Sequence, residues 1–160
     1  MSRIQLALDV DDLEQAVAFY TRLLGVEPAK RRAGYANFAV VEPPLKLVLL
    51  ENPGRGGGLN HLGIEVGSSD EVYAETGRLT GAGLLADQEL GTTCCYATQD
   101  KAWVSGPDGE RWEVYTVLAD SETFGAPAAA GESCTCCGQE GPAVQEAATC
   151  CGPVGSAAAG

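Results

Sequence analysis

The sequence predicts an α+β fold built from two tandem βαβββ modules, and three observations carry that reading. A run of strand, amphipathic helix and three further strands occupies residues 2 to about 52 and restarts near residue 59. In both halves the apolar spacing changes in the same order, from the alternation of a strand to the period of a helix and back. At a shift of 56 residues, Gln5 falls on His61, Leu6 on Leu62, Val10 on Val66, Ala18 on Ala74, Arg22 on Arg78, Leu23 on Leu79 and Gly25 on Gly81, and six of these seven pairs are identities. Chance would supply about one or two, so an internal duplication is the better account.

Each element has its own signal. Ile4 to Val10 alternates apolar and polar residues for most of its length, as a half-buried strand does. Asp11 or Asp12 then caps a helix in which Leu13, Ala16, Val17, Tyr20, Leu23 and Leu24 recur at helical spacing, and Gly25 stands where it ends. Residues 26 to 33 add an edge strand, and Tyr35–Val41 and Leu45–Leu50 are strands separated by the turn residues Glu42-Pro43-Pro44. A flexible connector from Asn52 to Gly58 leads to the restart. The second module follows with a strand over Leu59–Val66, a helix over about Ser69–Thr80, a run near Leu84–Leu90, a cysteine-bearing segment, a short strand at Ala102-Trp103-Val104, a turn at Pro107-Asp108-Gly109 and a last strand over Arg111–Val117.

At 160 residues the chain fits one ordinary domain, expected over residues 1–120 with modules at about 2–52 and 59–118. The net charge of -12 and pI near 4.3 argue against nucleic-acid and anionic-membrane partners, which require clustered Lys and Arg, and point to a small molecule or metal. The N-terminus lacks a signal-peptide run and no stretch is long enough to span a bilayer, so a cytoplasmic location is expected. Residues 121–160 contain no Lys or Arg and are dominated by Ala, Gly, Pro, Ser and Glu, the composition of a disordered tail. That tail nevertheless carries Cys134, Cys136, Cys137, Cys150 and Cys151, without the paired spacing of a zinc finger. They read either as a soft-metal or metalloid trap or as incidental thiols.

In a reducing compartment seven cysteines point to metal-binding or catalytic thiols rather than disulfides. The pair in Gly91-Thr92-Thr93-Cys94-Cys95-Tyr96 is the most informative. Neighbouring strand residues point to opposite faces, so two adjacent thiols grip one soft atom only where the backbone is irregular, as the glycine and threonines permit. The competing reading is two ordinary buried cysteines. Glu113 lies among apolar strand residues, where a lone carboxylate is costly to bury without a partner.

The duplicated module, with Gln5 and His61 on matching first strands and Trp112-Glu113-Val114-Tyr115 on the last, resembles the vicinal oxygen chelate superfamily (glyoxalase, bleomycin-resistance protein and extradiol dioxygenase) over residues 2–118. The resemblance implies a half-barrel cleft in which Gln5, His61 and Glu113 hold a divalent metal, Fe(II) by preference, with Ni(II), Co(II) or Mn(II) able to substitute. Gln5 departs from the two-histidine, one-carboxylate set that makes the stronger ferrous site. Within the superfamily, Thr93-Cys94-Cys95-Tyr96, the ending at Glu113 and the cysteine-rich tail look like the carbon–arsenic lyases of arsenic-resistance operons, which are similar in turn to cadmium-induced proteins. This implies a non-haem Fe(II) dioxygenase that uses O2 to cleave trivalent organoarsenicals, such as methylarsenite and aromatic arsenicals, to arsenite. Cys94 and Cys95 would then fix the arsenic, flanked by Tyr96 and Lys101. Lys101 reads either as a charge that lowers thiol pKa and closes the loop or as a solvated loop residue. The expected partners are therefore a small trivalent organoarsenical and O2, with a homodimer admitted. Two other readings compete: a thiol protein that sequesters arsenite or cadmium, and a glyoxalase or thiol transferase. The single histidine, the vicinal cysteines and the lack of an evident basic pocket count against the last.

Overall fold

In the first strand, polar and apolar residues alternate because each face meets a different partner. The computed structural model describes residues 2–84 and 87–125. Strand β1 (Arg3–Val10) turns Leu6, Leu8 and Val10 toward helix α1 (Leu13–Leu24) and buries Gln5, Ala7 and Asp9 on the opposite face. Asp12 caps α1 by accepting from the Gln15 backbone N–H, and Gly25 ends it in the left-handed conformation, at φ 69°. Leu13 and Val17 of α1 pack on Ala36 and Phe38 of β3 (Tyr35–Val40) and on Leu47 and Leu49 of β4 (Leu45–Glu51). The edge strand expected over residues 26–33 is the three-residue β2 (Lys30–Arg32).

The second module repeats this plan. Strand β5 (Leu59–Glu65) leads to helix α2 (Ser69–Gly81), capped by Ser68, whose Val72 and Leu79 pack on Val66 and on Val114 of β8 (Arg111–Asp120). Between them stand β6 (Asp87–Cys94) and β7 (Ala97–Ser105). Strand β7 is far longer than the Ala102–Val104 run read from the sequence.

All eight strands form one sheet in the order β2-β3-β4-β1-β5-β8-β7-β6, so the modules meet where β1 and β5 pair antiparallel. Each first strand also pairs in parallel with the last strand of its own module, β1 with β4 and β5 with β8. The helices cover one face, and the other curls into a half-barrel around a cavity of about 350 Å³.

After β8 the chain turns back over the β6–β7 hairpin. Ser121 donates its backbone N–H to Tyr96 O at 2.9 Å, Phe124 O accepts from the Cys95 N–H at 2.6 Å, and Gly125 bridges to Cys94. The expected disordered tail thus begins, at residues 121–125, with backbone that packs on the thiol segment. Cys134, Cys136, Cys137, Cys150 and Cys151 lie outside the described residues. Among those described, no helix is long and apolar enough to cross a membrane.

Candidate active site

Parallel and antiparallel pairing place three polar side chains on the same patch of the concave face. Gln5 lies opposite Gly63 across the β1–β5 seam, and Gly63 is paired in turn with Glu113 on β8. A side chain at 63 would stand between them, since a Cβ there would approach Glu113 Cγ to 3.1 Å and Gln5 Nε2 to 3.2 Å. Glycine leaves the space in which the two meet, joined by His61 from two residues earlier. Gln5 Nε2 donates to Glu113 Oε1 at 2.6 Å and lies 3.1 Å from His61 Nε2, which is 3.4 Å from Glu113 Oε1. All three side chains are buried.

The tautomer of His61 follows from its other neighbour. Asn60 gives its amide N–H to the Asp9 carboxylate at 3.0 Å, so its Oδ1 faces His61 Nδ1 at 2.7 Å and Nδ1 carries the hydrogen. In the neutral ring, Nε2 therefore turns a lone pair toward Gln5 and Glu113. The only sequence signal for this Asp9–Asn60–His61 relay is Asn60 beside the chain's single histidine.

Lys101 corrects the sequence reading. It is neither a solvated loop residue nor a loop-closing one: it is 2% exposed in the middle of β7, with Nζ 3.1 Å from Glu113 Oε2. Burial alone would push the Glu113 carboxyl up, but the Lys101 ammonium beside it outweighs burial and holds the carboxyl at about 2. The cavity also holds basic side chains that the sequence alone does not place there. All three lysines of the chain, Lys30, Lys46 and Lys101, line the cavity together with Arg3. Each cation has a carboxylate partner: Asp120 for Lys30, Glu65 for Lys46 and Arg3, and Glu113 for Lys101. These pairs had no sequence signal because their members come from different strands.

Cys94 closes β6, and Cys95 and Tyr96 form the two-residue turn into β7, both in the left-handed region at φ 55° and 62°. This irregularity sets the thiols on the same side, with Sγ atoms 3.2 Å apart. Cys94 is buried against Trp103, whose indole meets the His61 ring edge-on at a centroid distance of 5.4 Å. Both thiols line the same cavity as Gln5, His61, Glu113 and Lys101. Tyr96 does not line it. Its ring packs on Tyr35 at 5.4 Å and on Phe124 at 5.4 Å, and its hydroxyl reaches Ala33 O at 3.3 Å, so it braces the turn.

The family profile of the Glyoxalase/Bleomycin resistance protein/Dioxygenase superfamily matches residues 4–114. The chain belongs to that superfamily. Among its relatives, the cadmium-induced protein CadI of Mycobacterium tuberculosis is 68% identical over 142 residues, covering 86% of this chain and 93% of that protein. The trivalent organoarsenical cleaving enzyme of Thermomonospora curvata is 52% identical over 138 residues, covering 86% and 89%. Of solved superfamily structures, the 2,3-dioxygenase LapB from Pseudomonas sp. KL28 shares the fold with a TM-score of 0.56 at 18% identity, over 78% of this chain and 46% of that one. The Mn(II)-bound glyoxalase from Novosphingobium aromaticivorans does so with a TM-score of 0.54 at 22% identity, over 76% and 42%.

The superfamily fold brings the question of a metal to Gln5, His61 and Glu113. Among the described residues no group of three His, Cys, Asp or Glu converges as a metal site. Here the third donor is an amide, which that residue set leaves out. The donor chemistry fits a divalent cation: an imidazole whose Nδ1 is engaged by its relay and whose Nε2 faces the cluster, a carboxylate held ionised, and an amide whose oxygen, turned here toward Tyr115, is a hard donor.

Proposed function

We propose that this protein cleaves the carbon–arsenic bond of trivalent organoarsenicals, with Cys94 and Cys95 holding the arsenic and Gln5, His61 and Glu113 holding Fe(II). The observation that carries the reading is that a side-by-side thiol pair and a His–Glu–amide cluster face one cavity. Its support is that a relative 52% identical, over most of both chains, is named a trivalent organoarsenical cleaving enzyme. When bound, iron supplies activation of O2, the oxidant for scission of the bond. Ni(II), Co(II) or Mn(II) suits the same donors.

The protein's own residues do the rest. Two As–S bonds form as two As–OH bonds break, and each thiol hydrogen leaves in a water molecule. The left-handed turn presets both sulfurs, so little ordering is left for the moment of capture. Trp103 packs against both the thiols and the His61 ring, an apolar wall shared by the two. Lys101 neutralises one Glu113 oxygen and leaves the other for the cluster. The thiols must stay reduced, which suits the cytoplasm.

The test is direct: protein loaded anaerobically with Fe(II) and methylarsenite is exposed to O2, and arsenite is measured. Stoichiometric arsenite is expected from the wild type. Cys94→Ser should lose arsenical binding while retaining iron, because a hydroxyl is a hard, protonated and poor arsenic ligand. A second reading, soft-metal or metalloid sequestration, is favoured by the 68% identity to a protein named cadmium-induced. Methylarsenite that binds and is recovered intact after O2 exposure would establish it instead.

A further inference from the structure

Tyr115, on β8 two residues beyond Glu113, is fully buried and sits among three polar neighbours. Its Oη is 2.6 Å from Gln5 Oε1, 2.7 Å from Glu65 Oε2 and 3.0 Å from Lys46 Nζ. A phenol keeps its hydrogen at neutral pH, so Tyr115 is a hydroxyl with one hydrogen to give. Lys46 donates to it. Glu65, held below the usual carboxylate range by Lys46 and Arg3 against the effect of burial, only accepts. Gln5 in this orientation also only accepts. One hydrogen therefore faces two acceptors at hydrogen-bonding distance, and one contact is left short.

Of the three neighbours, only Gln5 can change its role, by turning its amide over. With Nε2 toward Tyr115, the hydroxyl would accept from Lys46 and Gln5 on its two lone pairs and give its hydrogen to Glu65, so every contact is served. The same turn would bring Gln5 Oε1 to face His61 Nε2 and Glu113 Oε1. Three acceptors that close together need a cation among them. Without one, the present orientation is the stable choice, because the Gln5 NH2 has two hydrogens for the two acceptors His61 Nε2 and Glu113 Oε1.

We propose that Tyr115, backed by Glu65 and Lys46, is the positioning residue that selects which end of the Gln5 amide faces the metal site, shifting its single hydrogen to Glu65 when Gln5 presents its oxygen to a divalent cation. The inference rests on the reading of Gln5 as a metal ligand. It assigns to Tyr115 a task that the phenol ring alone cannot perform.

The experiment is a double-variant cycle read by anaerobic calorimetry with Mn(II), using wild type, Tyr115→Phe, Gln5→Glu and the double variant in the full chain. A carboxylate has two equivalent oxygens and no wrong end. Tyr115→Phe should therefore weaken Mn(II) about tenfold when residue 5 is Gln and less than twofold when it is Glu. An equal loss in both backgrounds would reduce Tyr115 to a packing role and overturn the proposal. Gln5→Ala separates the two layers: Mn(II) affinity unchanged in that variant sinks the ligand reading itself, whereas a loss there with additive cycle terms sinks only the role of Tyr115. A second measurement guards against poor folding of the double variant. In wild type labelled at Gln side chains, adding the diamagnetic probe Zn(II) should move the through-space contact of the Gln5 amide hydrogens from the His61 ring to the Tyr115 ring. An unmoved contact in zinc-bound protein would equally refute the proposal.

Discussion

The two modules share a plan and divide the chemistry unequally. Gln5 on β1 and His61 on β5 are equivalents, 56 residues apart. The equivalent of Glu113 follows from the registers: Ala7 and Gly63 are related by the same 56-residue shift, and Gly63 pairs with Glu113 as Ala7 pairs with Val48. The first half thus offers a valine where the second offers a carboxylate, and Val48 is buried in the wall of the same cavity. The hairpins diverge in the same way. The β2–β3 turn is Ala33-Gly34, with glycine at φ 67°, whereas the β6–β7 turn is Cys95-Tyr96, with both residues left-handed. Left-handed non-glycine residues cost about 1 kcal/mol or more each, and they persist where the surroundings enforce them. One copy has kept inexpensive turn residues and an apolar wall, while the other carries the strain, the thiols, the histidine and the carboxylate. The lesson is that duplication supplies a cavity wall with four positions related in pairs, of which three carry polar side chains and the fourth carries a valine.

The sharpest way to break this comparison is to remove the proposed ligand of each half in turn. His61→Ala should weaken Mn(II) binding by at least about a hundredfold, more than Gln5→Ala, which removes a weaker amide donor; titration calorimetry reads both, and equal losses would contradict the asymmetry. Restoring symmetry is the next test. Val48→Glu adds the missing carboxylate, so Mn(II) affinity should rise while arsenite production falls by about tenfold, because the proposed reaction requires an open position on the metal for substrate and O2. Unchanged turnover would mean that the Val48 position lies away from the reaction.

The electrostatic half of the comparison predicts an effect on folding. Lys101→Met strands a buried carboxylate and should cost metal-free protein about 3 kcal/mol in urea unfolding at pH 7. The Glu113 carboxyl is held down in the folded state, so its contribution is complete above the unfolded value of about 4.3 and lost as pH falls toward about 2. The stability gap between wild type and Glu113→Gln should accordingly close over that acidic range. The smallest effect belongs to the turn. Tyr96→Gly relieves one left-handed residue and should stabilise by up to about 1 kcal/mol, less whatever its ring packing contributes, and a loss larger than that would show that packing on Tyr35 and Phe124 outweighs the strain.

Duplication was legible because each module must bury a helix on its sheet, which forces the same apolar spacing on both copies. Gln5, His61 and Glu113 were legible for a related reason: equivalent strands of a duplicated sheet meet at its seam, and Glu113 was a carboxylate among apolar neighbours. Other features left no periodic trace. Strand β7 reads short in the sequence because Gln99, Asp100 and Lys101 are three consecutive polar residues, which mimic a loop. In fact Gln99 and Lys101 face the cavity, while Asp100 faces away and accepts from Ser69 Oγ and Gly91 N–H. Lys101 could not be matched to Glu113 without the β7–β8 register, nor Tyr115 to Gln5 without the seam. The backbone that follows β8 looked featureless because its contacts are main-chain ones, which composition does not record.

The position of Trp103 has an optical consequence. Its indole lies edge-on to His61, packs with Cys94 and Cys95 and sits beneath the Arg111 guanidinium at 4.1 Å. Trp112, the chain's other tryptophan, is half-buried on β8 next to Glu113, and strand alternation turns it to the opposite face of the sheet. One fluorophore therefore stands between the two halves of the site, and the other is screened from both by the sheet. Arsenic seated on the thiols or a paramagnetic ion beside His61 would quench Trp103 emission while Trp112 continues to emit, giving the protein a built-in gauge of occupancy with its own internal reference.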